Sequence, residues 1–252
     1  MSRRKNTERK EKPKKGSSNR VSRRNEDIAV SRTPIWNKKP LKPMNDKQLE
    51  YINMIKNHKL VCSMGVAGSG KSYIAAVMAA DMLLDPGSSI EKLVIARPNQ
   101  MEGTQSIGLL PGTLEEKLGP WLVPVTETLK ERLGNGHFEA FVENGKIEFL
   151  PLEMIKGRTF NNTFIIIDEA EDIEWSVLKT VLLRIGKDSK MVIDGDVRQE
   201  SISSNSGLRA LIKLNEDFYL PMGFIDFDSW ELHCIRSEEC RLFGQIFEQA
   251  GV

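Results

Sequence analysis

The sequence predicts an α/β protein whose mostly parallel sheet carries helices on both faces. Short apolar runs, which suit buried strands, alternate with longer segments in which apolar residues recur at helical spacing. Because parallel strands are joined by crossovers that are usually helices, this alternation is typical of a sheet covered on both sides. Ligands of such sheets bind outside the carboxyl ends of the strands, so functional residues are expected there.

The predicted elements begin at about residue 45. A helix over 46–57 places Leu49, Ile52 and Ile55 on one face, and a strand over 59–64 runs into a glycine-rich turn that opens a helix over 71–84. The other predicted strands are 92–96, 146–150, 163–168, 190–194 and 223–227, and the other predicted helices are 174–185, 206–214 and 237–249.

A further helix is predicted within the segment "LPGTLEEKLGPWLVPVTETLKERL". Thr113 is its expected N-cap, and Glu116 completes a capping box. Pro120 and Pro124 are expected to break or kink this helix before a second helical piece.

Charge divides the chain into two parts. Residues 1–42 contain 15 Lys and Arg against 4 Asp and Glu, a net charge of +11, whereas the remainder carries −10. A segment so poor in apolar residues cannot bury enough surface to fold alone. We therefore expect a disordered basic arm over 1–43 and a single domain over 44–252. The arm is interpreted as a nucleic-acid contact, as a solubilising extension, or as a segment that docks on the acidic body.

Composition also excludes several classes of protein. No apolar run approaches the ~18 residues of a membrane helix, and the charged N-terminus is unlike a secretory signal. Three cysteines without a CxxC pair favour reduced thiols and a cytoplasmic location. We expect neither a membrane partner nor a zinc site.

The stretch "GVAGSGKS" (65–72) follows a predicted strand and opens a predicted helix, which is the context of a Walker A motif. Its glycines let the backbone curl so that N–H groups point at phosphate oxygens, and the helix N-terminus adds partial positive charge. Lysine in this position bridges the β- and γ-phosphates, and the serine hydroxyl ligates Mg²⁺. The candidate nucleotide-binding residues are Gly65, Val66, Ala67, Gly68, Ser69, Gly70, Lys71 and Ser72.

The stretch "FIIIDEAED" (164–172) ends a buried strand in carboxylates. Asp168 is the candidate for a Walker B aspartate that holds Mg²⁺ together with Ser72. Glu169 is the candidate for polarising the attacking water. The alternative is an acidic helix start in which Glu171 and Asp172 merely complement the helix dipole.

The stretch "MVIDGDVRQE" (191–200) places Asp194, Asp196 and Gln199 at the end of another buried strand. In a parallel sheet this strand can lie between the Walker A and Walker B strands. Gln199 would then face the γ-phosphate or the attacking water, and Asp196 would orient the loop or the water shell of the metal. The alternative is a polar turn capped by its own acids.

These motifs, in this order, resemble the PhoH family of ATPases. The resemblance runs from about Asp46 to the C-terminus. It includes "ARPNQMEGTQSIGLLPGTLEEKLGPWLVPV" and "KGRTFNNTFIIIDEA", which are specific to that family. The family is similar to the nucleotide-binding half of superfamily-one helicases, whose "GD..Q" strand matches Gly195, Asp196 and Gln199.

The resemblance implies a RecA-like P-loop NTPase core that hydrolyses ATP with Mg²⁺ as a homo-oligomer such as a ring. It also implies a link to RNA metabolism, so RNA or single-stranded DNA is an expected partner. Three departures from the family pattern suggest slow or partner-dependent hydrolysis, and one of them is that "CIRSEE" (234–239) lacks the histidine that usually follows its arginine. Glu171 and Asp172 replace the usual glutamine and asparagine, and Asp194 replaces a small polar residue.

An arginine is expected to complete the site, because a lone core of this kind leaves the γ-phosphate open on one side. Arg236 is the first candidate, supplied by a neighbouring subunit, and Arg184 is the second. The alternative for Arg236 is a surface ion pair with Glu238, Glu239 or Asp228.

Four further residues carry open interpretations. Gln48 and Tyr51 precede the first strand, where related ATPases recognise adenine, although Tyr51 suits core packing equally well. Arg97 and Arg158 suit either contacts to nucleic acid or to a second subunit, or ordinary salt bridges.

The leading functional interpretation is an ATPase coupled to nucleic acid. A low-turnover nucleotide switch that recruits a partner is the second. A small-molecule kinase is the third, and it would not need Glu169 and Gln199 in these positions.

Overall fold

A sheet of six parallel strands organises the part of the chain that the structure describes. The computed structural model describes Met1 and residues 39–98, 123–199 and 205–251. The strand order is β3-β2-β4-β5-β1-β6, and all five pairings are parallel. The predicted sheet is thus confirmed, with each strand within one residue of its expected bounds. The strands are β1 (Leu60–Gly65), β2 (Lys92–Arg97), β3 (Ile147–Pro151), β4 (Thr163–Ile167), β5 (Lys190–Gly195) and β6 (Gly223–Phe227).

Helices cover both faces of this sheet, as predicted. One face packs against α1 (Asp46–Asn57), α2 (Lys71–Leu84), α3 (Val123–Leu133) and α4 (Asn135–Glu143). The other packs against a 3₁₀ turn (Leu152–Ile155), α5 (Trp175–Leu182) and α6 (Gly207–Phe218). Two more helices, α7 (Trp230–His233) and α8 (Glu238–Ala250), follow β6. No helix within the described ranges combines the length and the apolar character that crossing a membrane requires.

The continuous apolar runs of the strands reflect burial on both faces. Successive strand residues point to opposite sides, so that in β2 Leu93 and Ile95 join the first core while Val94 and Ala96 join the second. A strand that is buried on both faces exposes no side to solvent, so its sequence does not alternate between apolar and polar residues.

Several helices differ from their expected bounds. Helix α4 was not predicted, because only Phe138 and Phe141 mark its buried face and so short a pattern has little periodicity. Helix α5 ends at Leu182 rather than at 185, and α6 continues to Phe218 through a polar last turn. Of the three apolar residues expected on one face of α1, Ile52 and Ile55 are buried, whereas Leu49 is 45% exposed.

The proline-rich segment is described only from Val123 onward. Pro124 lies at the second residue of α3, where proline's missing N–H costs nothing. The predicted cap at Thr113, the capping box with Glu116 and the break at Pro120 lie outside the described residues, as does most of the predicted arm over 1–43.

The order of the three central strands positions the site. As predicted, β5 lies between β4 and β1, with Ile193 opposite Ile167 and Asp194 opposite Ser63. Neighbouring strands in a sheet are about 4.8 Å apart. The residues that follow these three strands therefore meet at one edge of the sheet.

Packing between α7 and α8 supplies a test of the C-terminal part of the fold. A Cβ on Gly244 would lie 2.2 Å from the Trp230 ring. We expect Gly244→Ala to lower the free energy of unfolding by about 1–3 kcal/mol, because overpacking forces the ring or the helix to shift. Urea denaturation measures this change. Gly136→Ala in α4 is the control, since a Cβ there meets nothing within 4 Å. Equal stability of Gly244→Ala and the wild type would contradict this packing.

Candidate functional site

A cleft of about 550 Å³ opens where β1, β4 and β5 end. Its walls include Lys71 and Ser72 after β1, Asp168 and Glu169 after β4, and Gln199 after β5. Residues more than a hundred positions apart in sequence thus face the same space. The sequence motifs at the three strand ends belong to one site.

The loop between β1 and α2 has the backbone of a phosphate cradle. Gly68 and Gly70 have φ angles of 73° and 84°, which side chains other than glycine rarely adopt. A Cβ at Gly68 would lie 2.8 Å from the Cβ of Arg236, so the approach of the chain also requires glycine. The Val66 N–H donates to the Phe227 carbonyl oxygen at 2.9 Å, which ties the loop to the end of β6.

Lys71 provides a half-buried positive charge beneath this loop. Its Nζ donates to the carbonyl oxygens of Gly65 at 2.7 Å and Val66 at 3.1 Å. Burial lowers the pKa of Lys71, although the charges of Asp194 and Asp196 oppose that shift. A desolvated ammonium group among neutral oxygens is well suited to binding an anion.

Ser72 and Asp168 form a pair of hard oxygen donors. The Ser72 hydroxyl donates to Asp168 Oδ1 at 3.0 Å. Burial and the charge of Glu169 raise the pKa of Asp168. The described residues contain no group of three or more His, Cys, Asp and Glu side chains that could hold a metal ion. The pair fits Mg²⁺, which is commonly held by one or two protein oxygens together with substrate phosphates.

Glu169 is held in an unusual backbone conformation beside the cleft. Its φ of 55° and ψ of 48° lie in the left-handed region, which is costly for a residue with a side chain. Arg97 Nη2 donates to Glu169 Oε1 at 2.5 Å. Of the two interpretations offered for Arg97, the structure therefore favours the salt bridge, and its partner is the candidate water-polarising carboxylate.

Asp196 organises the turn that carries Gln199. Asp196 is 4% exposed, and its Oδ2 accepts a hydrogen bond from Gln199 Nε2 at 3.1 Å. Its Oδ1 accepts from Arg198 Nε at 3.0 Å. The expectation that Asp196 orients this loop agrees with these contacts, and the loop brings Gln199 to the wall of the cleft.

Glu171 lies at the site, and its contacts there were not predicted from the sequence. It is buried, and its Oε2 accepts from the Asp196 N–H at 3.1 Å. Burial raises the pKa of Glu171 to about 8, and a hydrogen bond with Glu169 adds to the shift. A carboxylic acid that keeps its proton can donate one hydrogen bond, as the family's glutamine amide does. Near neutral pH, Glu171 therefore differs little in hydrogen-bonding capacity from the glutamine that is usual in the family.

Asp194 and Tyr51 form a buried pair behind the cleft. Tyr51 is 0% exposed, and its hydroxyl donates to Asp194 Oδ1 at 2.9 Å. The Ser63 hydroxyl donates to the same oxygen. Burial raises the pKa of Asp194 to about 7, although the bond from Ser63 opposes the shift. The adenine interpretation of Tyr51 is corrected in favour of core packing, because no ligand can reach its ring.

Gln48 supports the loop from behind. Its Nε2 donates to the Ser69 carbonyl oxygen at 2.8 Å, and its Oε1 accepts from the Met44 N–H at 2.8 Å. The side chain is 3% exposed. The adenine interpretation of Gln48 is therefore also corrected, since both ends of the amide bind protein.

Arg236 lies against the phosphate loop of its own chain. The Ile235 N–H donates to the Gly68 carbonyl oxygen at 3.0 Å, and Arg236 lines the cleft. The expectation that a neighbouring subunit supplies Arg236 stays a prediction, but the segment after β6 folds back over this loop and places Arg236 on the wall of the cleft of its own chain. Sequence spacing gives no sign of this return.

The remaining arginine candidates lie away from the cleft. Arg184 adjoins Phe160, before β4 begins, at the edge of the sheet opposite to the cleft, so it cannot reach the site of its own chain. Arg158 donates to Glu148 Oε2 at 2.7 Å, and its guanidinium stacks on the Phe160 ring. The salt-bridge interpretation of Arg158 fits these contacts.

Comparison with known proteins identifies the family. The family model described as PhoH-like protein matches residues 40–248. The chain is 41% identical to a PhoH-like protein of Bacillus subtilis, over 60% of this chain and 47% of the relative. It is 32% identical to Protein PhoH of Escherichia coli K12, over 80% of this chain and 56% of the relative. The chain thus spans about half the length of the curated relatives it matches.

A solved structure shares the fold. The large terminase of a thermophilic bacteriophage superposes with a TM-score of 0.50 at 12% identity, over 81% of this chain and 50% of the terminase. With the parallel sheet and the glycine loop after β1, this likeness identifies a RecA-like P-loop core. The chain belongs to the PhoH-like protein family.

Proposed function

We propose that this chain binds ATP with Mg²⁺ in the cleft and hydrolyses it. The observation that carries the proposal is that Lys71, Asp168 and Gln199, from three separate strand ends, lie on the walls of one cavity. A triphosphate tail needs a cradle of N–H groups, a lysine, a metal-holding pair and a group that senses the last phosphate. Residues suited to these four roles line the same cleft, which supports the proposal.

Ser72 and Asp168 are the residues that would hold the metal. Bound Mg²⁺ would supply charge neutralisation of the phosphates. Lys71 would bind the β- and γ-phosphate oxygens by exchanging its present carbonyl acceptors for phosphate oxygens. Its lowered pKa still leaves the ammonium form favoured beside an anion, because the anion's charge opposes the effect of burial.

Glu169 would orient the attacking water and accept its proton. The left-handed backbone directs the carboxylate towards the cleft, and Arg97 fixes one of its oxygens. Gln199 would donate to the γ-phosphate or hold the water. Arg236 would stabilise the charge that develops on the leaving phosphates, acting within its own chain.

A low-turnover nucleotide switch is the second candidate function. The contact that favours it is the ion pair between Arg97 and Glu169, because the arginine competes with water for the carboxylate. Release of this pair by a partner would then turn hydrolysis on.

Nucleic acid and a second copy of the chain are the proposed partners. RNA or single-stranded DNA fits the basic arm, whose net charge of +11 suits a phosphate backbone. Self-association is supported by four apolar side chains on α8 that are about half exposed. These are Leu242, Phe243, Ile246 and Phe247.

Replacing the proposed base separates the two candidate functions. We expect Glu169→Gln to lower ATP turnover by at least about 100-fold while ATP affinity changes little, because the base acts on water rather than on binding. Phosphate release and equilibrium binding of ATP measure the two effects. Glu143→Gln, at the exposed end of α4, is the control. Wild type that binds ATP without releasing phosphate would contradict the ATPase and support the switch.

Mixing two inactive variants tests the placement of Arg236. Arg236→Ala is expected to lower turnover by about 10³-fold or more. Because Arg236 acts on its own site, adding Lys71→Ala protein, whose arginine is intact, restores no activity. Arg241→Ala is the matched control. Recovery of phosphate release on mixing would show that the arginine acts between subunits.

Coupling to nucleic acid is tested with and without the arm. We expect single-stranded RNA or DNA to raise phosphate release, and we expect deletion of residues 1–42 to weaken this stimulation. The effect should fall steeply as salt rises, since phosphate contacts release counterions. Basal turnover without nucleic acid is the internal control. Equal stimulation of the full-length chain and the shortened chain would show that the arm does not contribute to the coupling.

A further inference from the structure

Two thiols flank the segment that carries Arg236. Cys234 directly follows α7 and is buried, whereas Cys240 lies in the first turn of α8 and is partly exposed. Their sulfur atoms are 3.5 Å apart, compared with about 2.0 Å in a disulfide bond. A movement of about 1.5 Å, less than a change of side-chain rotamer produces, would bring them to bonding distance.

The segment between these cysteines (234–240) rests on the phosphate loop. The Ile235 N–H donates to the Gly68 carbonyl oxygen at 3.0 Å. A Cβ at Gly68 would lie 3.2 Å from Cys234 Sγ and 2.8 Å from Arg236 Cβ. One of the two thiols therefore packs on the loop itself, and the segment forms part of the wall of the cleft.

We propose that Cys234 and Cys240 are a modification site that forms a reversible disulfide, which holds the 234–240 segment over the phosphate loop and slows nucleotide release. The bond would close a short loop around Arg236 and join α8 to the residues that touch Gly68. The disulfide itself stands on the geometry of the two thiols. Its effect on nucleotide rests on the proposed function.

The reaction is a thiol–disulfide exchange with a low-molecular-weight disulfide as the oxidant. The thiolate of Cys240, the more exposed of the two, attacks one sulfur of the reagent and displaces the first reagent thiolate. The Cys234 thiolate then attacks Cys240 Sγ in the mixed disulfide and displaces the second. Two protein thiols lose two protons and two electrons, and one reagent disulfide becomes two thiols.

The third cysteine provides an internal control. Cys62 is 0% exposed in β1, and burial raises the pKa of its thiol. It is expected to stay reduced while the pair reacts. Burial and the neighbouring Cys234 also raise the pKa of Cys240, so the exchange is best run at mildly alkaline pH.

Peptide mapping tests the bond directly. The full chain is treated with oxidised glutathione, free thiols are alkylated, and the protein is cut with trypsin, which cleaves after Arg236 and so separates the two cysteines. We expect the two peptides to remain joined, to separate on reduction, to stay separate in Cys240→Ser, and to be joined again in Cys62→Ala. Free or glutathione-capped cysteines at both positions would overturn the proposal.

Nucleotide release tests the consequence. We expect a fluorescent ATP analogue to leave the oxidised protein several-fold more slowly than the reduced protein, and we expect Cys240→Ser to show one rate under both conditions. An unchanged rate in fully crosslinked protein would overturn the gating effect. If the reduced wild type does not bind the analogue, the proposed function and the gating effect fail together, whereas the peptide map still decides the disulfide.

Discussion

The pairing of β5 between β4 and β1 is the constraint on which the rest of the site depends. All strands of a parallel sheet end at the same edge, and neighbours are about 4.8 Å apart. The register aligns Asp194 with Ser63 and Ile193 with Ile167. The residues that follow each strand therefore lie close together because of the strand pairing itself. No contact between the loops is needed to bring them there. Buried apolar strands fix this register, because each is covered by helices on both faces.

The cleft at this edge of the sheet is lined by more acidic than basic side chains. Protonation of two of these acids removes part of the excess negative charge. Burial raises the pKa of Glu171 to about 8 and that of Asp194 to about 7. Both groups therefore carry less negative charge near neutral pH than their number suggests, which favours the approach of a polyanion. As pH rises through these values the protons are lost, and the cleft becomes more negative around Lys71. The acids that replace the family's usual residues are in this way compatible with a phosphate site.

The sequence predicts the sheet and the ends of its strands well, but it predicts the contacts of individual side chains less consistently. Continuous apolar runs mark doubly buried strands, and the motifs that follow them are set by those strands. Tyr51 is one example, because a tyrosine at helical spacing is equally compatible with core packing and with ligand binding. Only the structure shows that its hydroxyl donates to Asp194. Arg236 shows the second limit. Its contact with the phosphate loop arises because the chain folds back after β6, and local sequence carries no signal for that return.

A crystal structure with Mg²⁺ and a non-hydrolysable ATP analogue tests the central claim most directly. We predict that the triphosphate lies along the loop after β1, with Lys71 on its last two phosphates, Mg²⁺ beside Ser72 and Asp168, and Gln199 at the γ-phosphate. A nucleotide bound elsewhere on the molecule, or phosphates that touch only one of the three strand ends, would contradict it.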